Sequence, residues 1–208
     1  MALATYTDLQ ASIASWLHRT DLAAIIPDFV ALAEDRFARD LRLDAQLTSG
    51  SMLASTTGRA INLPTDWLEF TSLNIIAPTG TGQQTSIDFV TSDQLDRLHP
   101  EGSASGLPLV YSIRNKQLLI GPPPALTYTV SVVYYARFPA LATAGTNWLM
   151  TNHRAVYLYA CLIEAATWAD DTEGLAKWQS LYDKTAGQLA GVDDKATRSG
   201  SPLTVRKG

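Results

Sequence analysis

Apolar residues recur every three or four positions at both ends of the chain, which is the spacing of amphipathic helices. The segment Thr7–Gln10 has the pattern of a capping box, and we predict a first helix that it opens. Pro27 suits the first turn of a second helix, where its missing N–H costs nothing. Glu34 and Arg36 fall on the polar side of that helix, so we expect both to face solvent.

The last third of the chain is also predicted to be helical. Thr151 or Asn152 can cap a helix that runs to about Ala169, and its apolar residues cover most of the circumference, so it should be buried on several sides. The segment Asp170–Thr172 ends it. A further helix follows whose apolar and small residues alternate at spacings of three and four, as in a packed seam. These residues are Leu175, Trp178, Tyr182, Thr185, Leu189 and Val192.

Between the helical ends, short apolar runs alternate with turn-forming residues, a pattern that predicts β-strands. Asn115-Lys116 suits a tight hairpin turn because Asn tolerates a positive φ. Thr91 can cap one short helix that ends near Leu98. Few helices separate the strands, which favours antiparallel pairing. The predicted strands are Gln46–Ser55, Ala60–Leu63, Glu69–Ala77, Thr85–Val90, Leu109–Arg114, Gln117–Ile120 and Tyr128–Arg137.

The order of these elements predicts an α+β fold, in which N- and C-terminal helices form a helical bundle and an antiparallel β-rich domain is inserted between them. We expect residues 1–44 and 146–198 to form the bundle and residues 45–145 to form the insertion. Residues 199–208 lack a helical pattern and are expected to be an extended C-terminal arm.

Composition adds two observations. Apolar residues make up 46% of the chain and charged residues only 17%, against a usual charged fraction of about 25%. The low charge indicates either surface that a partner covers or an uncharged polar surface rich in Thr and Ser. Residues 1–194 hold 12 basic and 20 acidic side chains, a charge of −8, whereas the remainder holds four basic and no acidic ones. An acidic body with a basic tail argues against a general nucleic-acid binder.

Cysteine and histidine usage excludes several kinds of site. Cys161 is the one cysteine in the sequence, so no internal disulfide or multi-cysteine zinc site can form. The three histidines, His18, His99 and His153, lie far apart without metal-ligand spacing. The start has no basic n-region of a secretory signal, and no apolar stretch is long enough to span a membrane. We expect a soluble protein of a reducing compartment.

No pattern points to catalysis. The segment Gly102–Gly106 is spaced like a nucleophile elbow, but Ala104 stands where the nucleophile must be. Asp88 and Asp93 could hold a cation at a strand end, although no Asp-x-Asp-x-Asp loop exists. We therefore predict no enzyme, no catalytic residue, no cofactor and no metal. The five tryptophans can be core residues or, since aromatics are enriched where subunits meet, interface residues.

The chain resembles the head-to-tail adaptor (connector) proteins of tailed bacteriophages, especially the short-tailed, podovirus-like type. Segments along nearly the whole chain carry this resemblance, and their number and order make it specific. They are Tyr6–Leu9, Ile25–Phe29, Ala33–Arg36, Leu63–Glu69, Leu119–Pro124, Tyr134–Leu141, Thr146–Met150 and Tyr157–Ala160, followed by Asp170-Asp171, Trp178 and Tyr182.

The resemblance implies a structural virion protein of the neck, assembled in the host cytoplasm and not bound to a membrane. Its copies would form a ring, twelve in number, that joins the portal to tail tube, nozzle or fibre proteins. Genomic DNA would pass through the centre without specific binding. The β-rich insertion would contact the tail.

In the adaptors that this chain resembles, the C-terminus is often an arm that reaches the portal. The corresponding portal-docking residues here are Ser199, Gly200, Ser201, Pro202, Leu203, Thr204, Val205 and Arg206. Leu203 and Val205 would share one face of a short strand added to the portal's edge. The alternative function is a β-rich virion binding module, for glycan or tail-fibre attachment, which exposed aromatics in the β-rich part would favour.

Overall fold

A computed structural model of the chain describes residues 3–77, 84–100 and 102–198, and it has the α+β fold that the sequence predicts. The chain forms two compact units, each with its own hydrophobic core. The helical unit contains the residues up to 45 and those from 137 onward, and the β-rich unit contains residues 46–136. Leu141 is fully buried in the helical core, so the chain re-enters the helical unit earlier than residue 146.

The first two helices are α1 (Tyr6–Trp16) and α2 (Ile26–Asp40). The predicted cap at Thr7 is wrong, because Thr5 caps α1. The Thr5 hydroxyl accepts from the Asp8 N–H at 3.2 Å, and the Asp8 carboxylate accepts from the Thr5 N–H at 3.1 Å. The position of Pro27 in the first turn of α2 is confirmed.

The C-terminal helices are α4 (Leu141–Ala144), α5 (Trp148–Asn152), α6 (Arg154–Trp168) and α7 (Thr172–Arg198). The single helix predicted from Thr151 or Asn152 is wrong at its start. Asn147 caps the short α5 by accepting from the Met150 N–H at 2.9 Å, and the chain breaks at His153 before α6 begins. The burial of α6 on several sides is confirmed, since nine of its residues are buried.

The junction of α6 and α7 and the seam of α7 follow the sequence in part. Asp170 takes a positive φ of 55°, and the Asp171 carboxylate accepts from the Gly174 N–H, as predicted for a break at these acids. Trp178, Tyr182 and Leu189 of the predicted seam are buried. Val192, which the seam also includes, is 63% exposed.

Within the described residues of the β-rich unit, eight strands form two four-stranded sheets, and a 3₁₀ turn (Asp44–Gln46) precedes them. One sheet has the order β1-β8-β3-β4 and the other the order β2-β7-β6-β5. Alternate residues of β8 are buried, as expected of a strand with one face on a core. The strands are β1 (Leu47–Ala54), β2 (Ala60–Asn62), β3 (Trp67–Ile76), β4 (Gln84–Ser86), β5 (Asp88–Phe89), β6 (Val110–Arg114), β7 (Gln117–Gly121) and β8 (Tyr128–Ala136).

Antiparallel pairing holds for every pair of neighbouring strands described except β5 and β6, which are parallel. The connection between them includes the short helix α3 (Ser92–Leu98), and a crossover of this kind returns the chain in the same direction. The single strand predicted over Thr85–Val90 is two strands in different sheets, with the buried Ile87 between them.

Two local predictions in this unit are confirmed. Asn115 and Lys116 both have positive φ, 53° and 58°, in the turn between β6 and β7. Thr91 caps α3, with Gln94 completing the capping box. Helix α3 then packs so closely on β7 that a Cβ at Gly121 would lie 2.6 Å from the His99 ring and 2.7 Å from a Leu95 methyl, so this position needs glycine.

The segment that re-enters the helical unit is held by polar contacts with α2 and α6. Arg137 donates to Asp35 at 2.9 Å, and the Leu141 N–H donates to the Glu34 carboxylate at 2.8 Å. The Asn147 amide donates to the Tyr157 hydroxyl at 2.7 Å, which donates to Glu34 at 3.3 Å. Leu141, Glu34, Tyr157 and Asn147 thus form a continuous chain of hydrogen bonds, and the separate Arg137–Asp35 pair adds a second link to α2.

The prediction that Glu34 and Arg36 face solvent is therefore wrong. Glu34 is half-buried under the re-entering segment, and Arg36 forms an ion pair with Glu164 of α6 in which both side chains are mostly covered. Burial raises the pKa of Glu34, because a desolvated carboxylate is harder to ionise. Burial, followed by the neighbouring Glu34 charge, raises the pKa of Tyr157.

We predict that Glu34→Gln stabilises the protein more at neutral than at acidic pH. The raised pKa means that the folded state binds this proton more tightly than the unfolded chain, so the stability that protonation gives is lost as pH rises through the folded-state pKa. Gln has no charge to desolvate and keeps an oxygen for the Leu141 N–H. The measurement is urea unfolding at about pH 4 and about pH 7, which lie below and above the ordinary carboxyl pKa and its raised value.

Two variants control this comparison. Glu34→Ala leaves the Leu141 N–H without an acceptor and should cost about 1–3 kcal/mol at either pH. Asp183→Asn changes an exposed carboxyl of α7 and should show little dependence on pH. A Gln variant as unstable as the Ala variant would show that the network does not act through its hydrogen bonds.

Candidate interaction surfaces

The side chains that could take part in catalysis or metal binding lie apart from one another or already have other contacts. His18 follows α1, His99 ends α3 and His153 lies between α5 and α6, so each sits at a different helix end. Within residues 3–77, 84–100 and 102–198, no group of three or more His, Cys, Asp or Glu side chains is placed to hold a metal ion.

Of the two acidic residues that the sequence suggested for a cation, Asp93 has an ion-pair partner, and two further acidic residues have contacts of their own. Asp93 pairs with Arg97 at 2.9 Å on α3. Asp171 caps the start of α7, and Asp193 accepts from the Asp44 N–H at 2.9 Å. These contacts are those of capping and surface ion pairs.

Potential nucleophiles lack activation. Cys161 is fully buried, and burial raises the pKa of its thiol, so the reactive thiolate is disfavoured. Ser103 lies in the loop between α3 and β6, after Gly102 with a φ of 82°, and not in a strand-turn-helix elbow. Its hydroxyl is buried without a hydrogen-bond partner among the described residues. Neither Cys161 nor Ser103 therefore lies in the surroundings of an activated nucleophile.

A cluster of charge lies at the end of the second sheet. Asp96 of α3 forms ion pairs with Arg59 and Arg114, and the hydrogen bond from Arg59 is the main cause of a lowered Asp96 pKa. Arg59 also donates to the His99 carbonyl at 3.0 Å. The shared carboxylate neutralises one of the two guanidinium groups, and the contacts tie α3 to the sheet.

An open groove of about 580 Å³ lies in the helical unit, between the α5–α6 junction and the second half of α7. Its walls include Thr151, His153 and Arg154 on one side and Leu189 and Val192 on the other. The wide opening and mixed lining are those of a surface depression and not of an enclosed small-molecule pocket.

Among the described residues, the helical unit exposes three tryptophan side chains. Trp148 is 39% exposed and stacks on Phe138 at a centroid distance of 6.0 Å, and the other two belong to two patches of apolar side chains. In the first, which we call the Trp16 patch, Trp16 is 48% exposed and its ring contacts Tyr159 and Trp178 at centroid distances of 6.4 and 5.6 Å. In the second, the Trp168 patch, Trp168 is 50% exposed and contacts Phe29 at 6.1 Å. Leu32, one turn further along α2 from Phe29, is also exposed.

The two patches lie on opposite sides of α6. Tyr159 and Trp168 are nine residues apart on this helix, and at about 100° per residue they point in directions about half a turn apart. The sequence raised the question of whether its tryptophans belong to the core or to an interface. Trp178 is buried, whereas Trp16 and Trp168 each leave about half of their surface uncovered.

The β-rich unit exposes apolar side chains of a different kind. Of its large exposed apolar residues in the described part of the chain, Phe89 is the one aromatic. Trp67, Phe70 and Tyr111 instead pack around its core. The exposed residues are Leu53, Phe89, Leu98, Leu107, Leu109 and Leu126. This composition lacks the row of exposed aromatic rings with which proteins stack on sugars.

The predicted portal-docking residues lie outside the described residues. These are Ser199, Gly200, Ser201, Pro202, Leu203, Thr204, Val205 and Arg206, which follow the last described residue of α7, Arg198. Sequence reasoning missed the placement of the two tryptophan patches on opposite sides of α6, although the nine-residue spacing of Tyr159 and Trp168 on that helix carries the signal.

Comparison with known proteins identifies the family. No helix among the described residues has the length and apolarity to span a bilayer. No curated protein matches the chain. The sequence model of the SU10 adaptor protein family, however, matches residues 4–206, nearly the whole length. The chain therefore belongs to the SU10 adaptor protein family, and it is a bacteriophage adaptor with a structural role in the virion neck.

Proposed function

We propose that this adaptor forms a closed ring of twelve copies that joins the portal to the tail and surrounds part of the DNA channel. The observation that carries this proposal is the pair of exposed tryptophan patches on opposite sides of α6. Family membership supports the adaptor role, and the arrangement of the two patches supports the ring.

A ring needs a head-to-tail interface, in which one surface of a copy meets a different surface of the next. A twofold dimer would need only one self-complementary patch. The Trp16 patch and the Trp168 patch are different surfaces that point in opposite directions, so each copy can bind one neighbour on each side. Tryptophan is the residue most enriched among side chains that dominate interface energies.

The charge distribution suits a channel that DNA passes through. Each Lys or Arg contact with a phosphate adds salt-dependent affinity, which would retain the DNA. Residues 1–194 carry a charge of −8, and the basic side chains Arg19, Arg36 and Arg137 pair with carboxylates. An acidic body would let genomic DNA pass without specific binding.

We assign portal docking to the C-terminal arm, Ser199–Arg206, and tail contacts to the β-rich unit. The arm alternates Leu203 and Val205 with Thr204 and Arg206, so it can add as a short strand to an exposed sheet edge of the portal. The tail partners would be tube, nozzle or fibre proteins. Assembly in the host cytoplasm follows from this function. No observation in the β-rich unit favours the alternative, a glycan or fibre binding module.

The ring predicts that Trp16→Ser and Trp168→Ser each weaken self-assembly by about tenfold or more, which corresponds to about 1.4 kcal/mol per interface. Because each interface would use one patch from each copy, a mixture of the two variants should keep one intact type of interface and form dimers but no rings. Light scattering after size exclusion, with and without portal, measures the mass, and electron microscopy shows rings.

Leu126→Ser is the matched control, since it removes an exposed apolar side chain from the β-rich unit. It should leave assembly unchanged. Full-size rings from both tryptophan variants, or a chain that stays monomeric with portal present, would rule out the head-to-tail ring.

The arm predicts that deletion of residues 199–208 abolishes portal binding and leaves the fold intact. The described residues before position 199 already supply two hydrophobic cores, so we expect circular dichroism and the urea midpoint of the truncated chain to match those of the full chain. Portal binding is measured by cosedimentation. Binding of the truncated chain at full strength would exclude the arm as the docking element.

A further inference from the structure

Strand β1 is the longest edge strand among the described residues of the β-rich unit. The described edge strands are β1 and β4 in one sheet and β2 and β5 in the other. Three of them have two or three residues, whereas β1 has eight. Short edge strands are one way in which proteins avoid pairing with other chains, and β1 does not use it.

The sequence of β1, Leu47–Ala54, contains no charged residue and no proline, so neither charge nor proline protects this edge from pairing. Five of its eight residues are exposed, and Leu53 is 67% exposed. It pairs with β8 in unbroken register. In an antiparallel pair every second residue turns its N–H and C=O away from the partner, so β1 presents a row of backbone groups to an incoming strand.

Residues 199–208 have the length and the alternating side chains needed to pair with the β1 edge as an added strand. They provide ten residues, about 33 Å when extended, against about 27 Å for the eight residues of β1. Leu203 and Val205 share one strand face and could extend the core side of the sheet beside the partly buried Met52. Thr204 and Arg206 would then lie on the side of Ser49 and Ser51.

We propose that β1 accepts the C-terminal arm of a second copy as an added strand until the portal's edge replaces it. The proposal rests on the proposed function, because it concerns the same arm and the copies that the ring brings together. Exchange of arms between neighbours would continue the head-to-tail interface and cover the β1 edge before docking. When the arm docks on the portal, its backbone hydrogen bonds with β1 would be replaced by backbone hydrogen bonds with the portal's edge.

Cysteine cross-linking tests this pairing cleanly, because the native Cys161 is fully buried. One preparation carries Ser51→Cys and a size tag, and the other carries Thr204→Cys. Each copy then holds one accessible thiol, so a disulfide between the two preparations can form only between copies. Mild oxidation and a non-reducing gel should give a covalent heterodimer at about ten times the yield of the control, the difference expected for a specific contact of about 1.4 kcal/mol.

The control mixture pairs Thr204→Cys with Thr56→Cys, which lies in the exposed turn just after β1. A heterodimer yield no higher than in this control would overturn the proposal. Addition of portal should lower the yield, and a yield that portal leaves unchanged would overturn the exchange.

Charge variants give an independent readout. The residues from Lys195 onward are basic without an acid, so the double variant Ser49→Lys/Ser51→Lys should repel the arm and lower the cross-link between Thr204→Cys and Leu53→Cys copies. The matched variant Ser49→Glu/Ser51→Glu should keep or raise it. Equal yields from the two double variants would contradict pairing of the arm with β1.

The failure of this proposal is distinguishable from that of arm docking. If deletion of residues 199–208 abolishes portal binding and no heterodimer forms, docking to the portal stands and pairing with β1 falls. If the heterodimer forms and the truncated chain still binds portal, pairing of the arm with β1 stands and its role at the portal falls.

Discussion

The pairing of the first and last strands of the β-rich unit is the constraint on which this architecture depends. Strands β1 and β8 are antiparallel neighbours, with Leu47 opposite Tyr135, and the Gln46 amide donates to the Ala136 carbonyl at 3.2 Å in a buried position. The β-rich insertion therefore begins and ends at nearly the same point. A long flexible insertion would add an entropic cost to closing the bundle, whereas a folded unit whose ends already meet adds little. This is why one helical core can be built from two separate stretches of chain.

In the helical unit, polar contacts hold the returning segment in place, although they require partial desolvation of a carboxylate. Glu34 loses part of its hydration, and its pKa rises for that reason, but its carboxylate satisfies the Leu141 N–H at the place where the chain returns. Tyr157 and Asn147 extend the same network to the cap of α5. An apolar contact would give no directional control over this segment, because packing tolerates small shifts that hydrogen bonds do not. The network therefore specifies the path of residues 137–147.

The sequence predicted the features that local chemistry controls. Pro27 marks the start of α2, Asn115 and Lys116 make the hairpin turn, and Thr91 caps α3, since each depends on residues within one turn. The sequence-based prediction was wrong where two neighbouring capping patterns compete, or where a residue far away in the sequence determines the local structure. Thr5 and Asp8 form as good a capping box as Thr7 and Gln10, and periodicity cannot rank them. Glu34 has the spacing of a solvent-facing residue, and its partners, the Leu141 N–H and the Tyr157 hydroxyl, lie more than a hundred positions away. The parallel pairing of β5 with β6 likewise depends on a crossover and not on either strand's own sequence.

The residue types of the candidate interaction surfaces could be predicted from the sequence, but the location of these surfaces on the fold could not. A charged fraction of 17% and five tryptophans fit either apolar surface that partners cover or an uncharged polar surface, and composition cannot say where such a surface lies. The structure reduces the number of candidate surfaces. Trp178, Tyr157 and Leu141 fill the helical core, whereas Trp16 and Trp168 remain half uncovered on opposite sides of α6. A defect in packing would leave exposed apolar groups near one another at a gap in the core. Two separate patches half a turn apart, around a helix whose own residues are well buried, are instead the arrangement that the proposed ring needs, in which each subunit has two neighbours.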